Sequence, residues 1–265
     1  MKRLVVLTVV LASAILISFK AFDSKTIPVT TSSPKALSLY NEAKKYFDDV
    51  KLDKALATFG KALDADPDFF MANYQLAFYY LMNKSYNDFV KYSNAAVNCK
   101  AKLSDGEEMM REALSRIKQG KTDITDIGKR LVEMYPGDPN SYDNMVYFQS
   151  LVNDSTGVVE TLKKAITVVP DHGPFYNQLG YAYITMKQND KAEAAFDKYI
   201  ELEPKNPNVY DSKGDYYMYI KKYDKAYESY IQANSMDPSF SKDKAELAKQ
   251  LYEKTEGKKI DIISM

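Results

Sequence analysis

One cysteine, one histidine and no tryptophan occur in 265 residues, and these scarcities remove whole classes of chemistry. Cys99 alone cannot close an internal disulfide or build a thiol cluster around a metal, and it reads as a small apolar residue. His172 alone cannot supply the imidazole sets that hold zinc. It also lies in Pro170-Asp171-His172-Gly173-Pro174, a turn-forming run that commits it to chain reversal rather than to activating a nucleophile. No Gly-rich phosphate cradle and no Asp-rich loop with calcium spacing is present. Charge of one sign is missing as well: Lys+Arg and Asp+Glu both number 36, so no bulk field draws the chain to nucleic acid or acidic lipid. The expectation is a protein without catalytic residues, metal, cofactor or nucleic-acid partner. What the chain does hold is apolar matter for a core, at 45% of residues, and 22 tyrosines.

Long apolar runs are scarce too. The one present, Leu4 to Phe19, follows Lys2-Arg3 and closes at Lys20. Basic-then-apolar is the order of a secretory signal. At about 1.5 Å per residue the run spans roughly 24 Å, short of a bilayer core of roughly 30 Å. Residues 1–21 are therefore expected to be a signal peptide or an N-terminal anchor. Either one places the remainder outside the cytoplasm, periplasmic or cell-envelope associated, with membrane contact only through 4–19 if the segment is uncleaved. Residues 22–35 read as a flexible linker, because Pro28 and Pro34 flank a stretch with little to bury.

Prolines carry the organisation of the rest. Pro136, Pro170, Pro204 and Pro238 stand 34 residues apart, and Pro67 lies 69 residues before Pro136. A fixed 34-residue period marks a helix–turn–helix solenoid. Counting back from each proline places like residues at like offsets. From Pro67 these are Leu39, Ala43 and Tyr46, then Ala55, Phe59 and Ala62. From Pro204 they are Tyr176, Leu179, Gly180 and Tyr183, then Ala192 and Phe196. From Pro238 they are Tyr210, Gly214 and Tyr217, then Ala226, Tyr230 and Ala233.

This pattern resembles the tetratricopeptide repeat family over about 36–240, most strongly in the first, fifth and sixth units. The resemblance implies an all-α, right-handed solenoid of six units, about 36–69, 70–104, 105–138, 139–172, 173–206 and 207–240. A capping helix at 241–256 and a tail at 257–265 complete it. Small residues such as Gly180 and Gly214 let paired helices cross closely. Asp53, Asp190 and Asp224, each before Lys-Ala, are expected to cap second helices. Ser104 to Glu107 reads as a capping box. The prolines end each second helix. Residues 70–138 fit the pattern poorly and carry a one-residue excess over two periods, so a distorted stretch that bends the array is expected there.

Such a family uses its concave face, lined by first helices, to hold partners. Helical spacing puts Tyr40, Lys44 and Phe47 on that face in the first unit, and Tyr74 and Phe78 in the second. The fourth gives Asp143, Asn144 and Tyr147, the fifth Asn177 and Tyr181, and the sixth Asp211, Asp215 and Tyr219. A groove of aromatics, amides and carboxylates can stack on side chains and hydrogen-bond an extended backbone. The Lys, Asn and Arg grip on a terminal carboxylate found in chaperone-tail binders is missing. The function expected is a noncatalytic scaffold holding an extended peptide segment of another protein. A small-ligand or glycan receptor using the same groove is the alternative.

Overall fold

The computed structural model describes residues 25–260, and among them the secondary structure is entirely helical. Antiparallel pairs follow one another: α1 (Pro34–Asp48) with α2 (Leu52–Ala65), α3 (Phe70–Met82) with α4 (Tyr86–Val97), and α5 (Asp105–Lys118) with α6 (Thr125–Met134). Next come α7 (Pro139–Leu151) with α8 (Ser155–Val168), α9 (Gly173–Thr185) with α10 (Asn189–Leu202), and α11 (Pro207–Tyr219) with α12 (Tyr223–Met236). The last helix is α13 (Lys242–Glu256). The result is an all-α solenoid of six helical pairs and a capping helix. The proposed signal or anchor at 1–21 and the end of the tail lie outside the described residues.

Each pair turns back through one residue in the left-handed conformation: Val50, Lys84, Gly120, Asn153, Lys187 and Lys221. The following amide then reaches back five residues to close the turn, as from Ser85 to Tyr80 at 2.9 Å and from Lys222 to Tyr217 at 2.9 Å. These bonds satisfy carbonyls that the helix end would otherwise leave open. Ser33, Asp138 and Asn206 cap first helices through their side chains, and Ser104 with Glu107 forms the expected capping box. Asp53, Asp190 and Asp224 do not cap. The N-cap positions are Lys51, Gln188 and Lys222, and the three carboxylates sit inside the first turn, where they favour the helix dipole instead.

Small residues lie where helices cross. A Cβ built on Gly180 would meet the Phe196 ring at 2.6 Å, and one on Gly214 would meet Tyr230 at 2.4 Å. Between the fifth and sixth units, the buried Lys213 donates to Asp197 at 2.7 Å and to the Glu193 carbonyl at 3.3 Å, tying α11 to α10. Depriving that ammonium of its partners would be costly in so dry a place.

Two regions depart from a plain repeat. In the middle, α4 is 12 residues and its link to α5 runs over 98–104, whereas the regular second helices have 14 residues and four-residue links. That difference is the one-residue excess. α5 and α6 are joined by six residues, 119–124, and α6 packs more closely on α7 than on its own partner. Across this stretch α3 touches α7 directly. Tyr74 hydrogen-bonds Asn144, Gln75 Nε2 donates to Asn140 Oδ1 at 3.2 Å, and Phe78 meets Tyr147 edge-on at 5.0 Å. The stretch 70–138 is therefore disturbed, as the broken ladder implies.

The other departure is the presumed linker. Residues 25–31 run extended along the inter-unit edge, with Ile27 buried in the first core cluster. Its amide donates to Asp138 Oδ2 at 2.7 Å, and the Thr30 amide donates to Glu107 Oε1 at 2.9 Å. Prolines that argue against helix suit an extended run equally well, and composition alone does not reveal that it has somewhere to dock.

Candidate partner-binding surface

First helices carry the candidate residues, and the structure sorts these into two groups. In the N-terminal half the aromatics face one another. Tyr40 is buried between Phe59 and Phe69 at ring distances of 5.8 and 5.3 Å. Tyr74 is buried against Phe70 and Phe78 with its hydroxyl on Asn144, also buried. Phe47 sits edge-on to Tyr79, and Tyr147 lies against Phe78. These residues, expected to line an open groove, pack on one another: Tyr40 and Phe47 within the first two units, and Tyr74, Phe78 and Tyr147 where α3 meets α7 over the irregular third unit. Lys44 is half-buried and pairs with Asp48 at 3.8 Å.

Asp143 accepts from Gln178 Nε2 at 2.9 Å. Burial raises its carboxyl above the ordinary range, with the Gln178 hydrogen bond, Lys44 and His172 pulling the other way. Burial likewise lowers His172, and the Asp143 charge opposes the shift. His172 leads into α9 as expected of a turn residue, its ring 4.4 Å from Phe175. Asn177, the next candidate, keeps its Oδ1 buried with no hydrogen-bond partner.

The C-terminal group converges. The Tyr181 hydroxyl donates to Asp215 Oδ2 at 2.9 Å, and Tyr230 donates to Asp215 Oδ1 at 2.7 Å. Lys244, reaching over from α13, donates to Asp211 and to Asp215, each at 2.8 Å, and lies 5.5 Å from the Tyr230 ring. Ser241 also donates to Asp211. The carboxylate pair thus holds the protein's own cation, and both oxygens of Asp215 are engaged. Burial alone would lower Lys244, yet its hydrogen bonds to the two aspartates leave it raised. Burial, then the Asp215 charge, raises the Tyr181 phenol. These groups form an ion cluster, not a free acid/base pair.

Beside the cluster lies an open trough of about 490 Å³, lined by Asp215, Met218, Tyr219, Tyr230, Lys244 and Leu247. Tyr219 is 44% exposed and Leu247 49%. Exposed aromatic and aliphatic side chains beside a hydrogen-bonding cluster make an amphipathic surface suited to contact with another molecule. Neither Lys244 nor Leu247 is among the residues that helical spacing places on this face. The period held a signal for both: α13 occupies the place of a seventh first helix, so its residues border the same row as Asp211 and Asp215.

Residues 173–206 and 207–240 each match the family model described as tetratricopeptide repeat. Among solved structures, a thermophilic tetratricopeptide repeat protein of Thermus thermophilus is similar at 18% identity. The likeness covers 80% of this chain and 95% of that one, with a TM-score of 0.48. MamA is similar at 18% identity, over 77% and 92%, with a TM-score of 0.40. YrrB, titled a tetratricopeptide repeat protein with an unusual peptide-binding site, is similar at 17% identity, over 81% and 92%, with a TM-score of 0.36. No curated protein sequence matches.

Proposed function

We propose that this chain, a tetratricopeptide repeat protein, is a noncatalytic scaffold that holds an extended segment of a partner protein on the first-helix surface of its last units. The observation that carries the reading is the difference between the two halves of the first-helix row. The N-terminal aromatics are buried or half-buried against one another, whereas Tyr181, Tyr219 and Leu247 stay exposed beside the Asp211–Asp215–Lys244 cluster. An extended backbone laid along α9, α11 and α13 meets the phenols of the exposed Tyr181 and Tyr219. Its apolar side chains meet Tyr219, Met218 and Leu247 in the trough.

Placement in the cell envelope belongs to the same proposal and rests on the order of residues 1–21. Among the described residues no helix is long and apolar enough to cross a membrane.

The test compares the full chain with a Tyr219→Ala/Leu247→Asp variant. Both are used to capture partners from the native envelope fraction, and bound complexes are footprinted by hydrogen exchange. The expected result is protection on α9, α11 and α13 in the complex, with loss of the partner by the variant at unchanged helicity. A partner that binds the variant equally well would refute the surface assignment. Stabilisation of the purified chain by a sugar, with no protein captured, would replace the reading by a glycan receptor.

A further inference from the structure

Opposite in character to the trough is the inter-unit edge, where a peptide is already bound. Residues 25–31 lie extended across it, and the edge meets them with a matched set of groups. Gly137 N donates to the Lys25 carbonyl at 3.2 Å, and Ser104 Oγ donates to the Pro28 carbonyl at 2.8 Å. Asp138 accepts the Ile27 amide at 2.7 Å. Glu107 accepts the Thr30 amide at 2.9 Å and the Thr30 hydroxyl at 2.6 Å. Thr31 donates from its hydroxyl to Asp66 at 2.5 Å. Backbone and side chain are both read over seven residues.

The side-chain socket is equally specific. A Cβ on Gly106 would lie 2.8 Å from Ile27 Cγ2 and 2.9 Å from Tyr135 Cε2, so glycine at 106 leaves a notch that the Ile27 side chain fills. Glu107 is fully buried, and its carboxylate also accepts the Ser104 amide at 2.9 Å. Without an occupant, this carboxylate loses both bonds from Thr30 inside a dry site.

We infer that this edge is a second peptide-binding site, separate from the first-helix surface, specific for an extended segment reading Ile-Pro-x-Thr. The chain's own residues 27–30 fill it in cis. The occupant docks and undocks as a strap. Ile27 is its one deeply buried apolar side chain, and Pro28 holds the chain extended before it docks. Ser104, Glu107, Asp138 and Asp66 hold it through their side chains, so undoing these bonds breaks no helical backbone bond.

Native-state hydrogen exchange on the unmodified full chain tests release. The amides of Ile27 and Thr30 should exchange at least about tenfold faster than those of buried α5 residues such as Met110, since local opening needs less than unfolding. Exchange at a common rate would show that the strap leaves only when the fold does, and would overturn the proposal. Peptide binding tests the site itself. A labelled peptide of residues 25–31 should bind the full-length Ile27→Asp variant saturably, and at least about tenfold more tightly than the unmodified chain, whose own strap competes. The same peptide carrying Ile27→Asp should not bind. Equal binding to both chains, or none, refutes the site, and so does loss of helicity in the variant. Sedimentation of the unmodified chain as a dimer that Ile27→Asp dissociates would refute occupancy in cis.

Discussion

A methyl group on Gly180 would press into the ring of Phe196 at 2.6 Å, while one on Gly60, in α2, would meet nothing within 4 Å. The two alanine substitutions should therefore differ in sign. Gly180→Ala is expected to cost about 1–3 kcal/mol by overpacking. Gly60→Ala is expected to stabilise by about 0.5–1 kcal/mol, because a helix interior disfavours glycine. Urea unfolding of both variants checks this, and the opposite ordering would show that α9 and α10 can separate at no cost. Gly180 was legible in the sequence because it recurs at a repeat offset shared with Gly214. Gly106 was not, since its partner Ile27 lies outside the repeats and no period connects them. Asp53, Asp190 and Asp224 were misjudged by two positions, because an acidic residue in the first turn and one at the cap differ little in sequence.

At the scale of the element, the helical pairs obey a rule that residue types conceal. Every pair reverses through one left-handed residue, yet glycine fills that position only at Gly120. Elsewhere lysine, asparagine and even the β-branched Val50, at φ 57°, occupy it. The conformation crowds Cβ against the carbonyl, and most of all for a β-branched side chain. Val50→Asn should accordingly stabilise by about 1 kcal/mol, a gain that chemical denaturation would detect. Destabilisation instead would mean that the half-buried valine side chain contributes more through packing than its backbone costs. The same camouflage explains why helix existence and period were readable while the turn chemistry was not. α13 shows another limit. A cap was expected from the end of the repeats, but Lys244 bonding two aspartates of α11 depends on a packing angle that no periodicity encodes. Lys244→Met should weaken the cap by only about 1 kcal/mol, since the ammonium is partly solvated. Hydrogen exchange in α13 against α9 reads that loss, and equal exchange in both variant and parent would mean apolar contact alone holds α13.

For the whole molecule, tyrosine burial sets the response to alkali. Burial raises the phenols of Tyr40, Tyr74, Tyr181, Tyr217 and Tyr230 above their ordinary 10.0, and those of Tyr199 and Tyr216 to about 12. Folded phenols thus hold their protons longer than unfolded ones. Their contribution is complete below about pH 10 and is lost as pH rises through the folded values. The melting temperature should fall above pH 10, with phenolate absorbance appearing together with loss of helicity. Phenolate appearing first, with helices intact, would show these hydroxyls to be accessible. The concave row was predicted as one groove from end to end because helical spacing fixes which face a residue is on. It does not fix which helices of different units meet, and α3 touches α7 across the third unit. A solenoid whose coils touch only their neighbours yields to tension evenly, each interface taking its share. Here the pairs Phe78–Tyr147 and Tyr74–Asn144, together with Ile27 on Asp138, bridge coils distant in sequence. Pulled from its two ends, this molecule is expected to extend first from α9 onward: a spring with its first coils tied, which leaves the elastic length to the units that carry the exposed tyrosines.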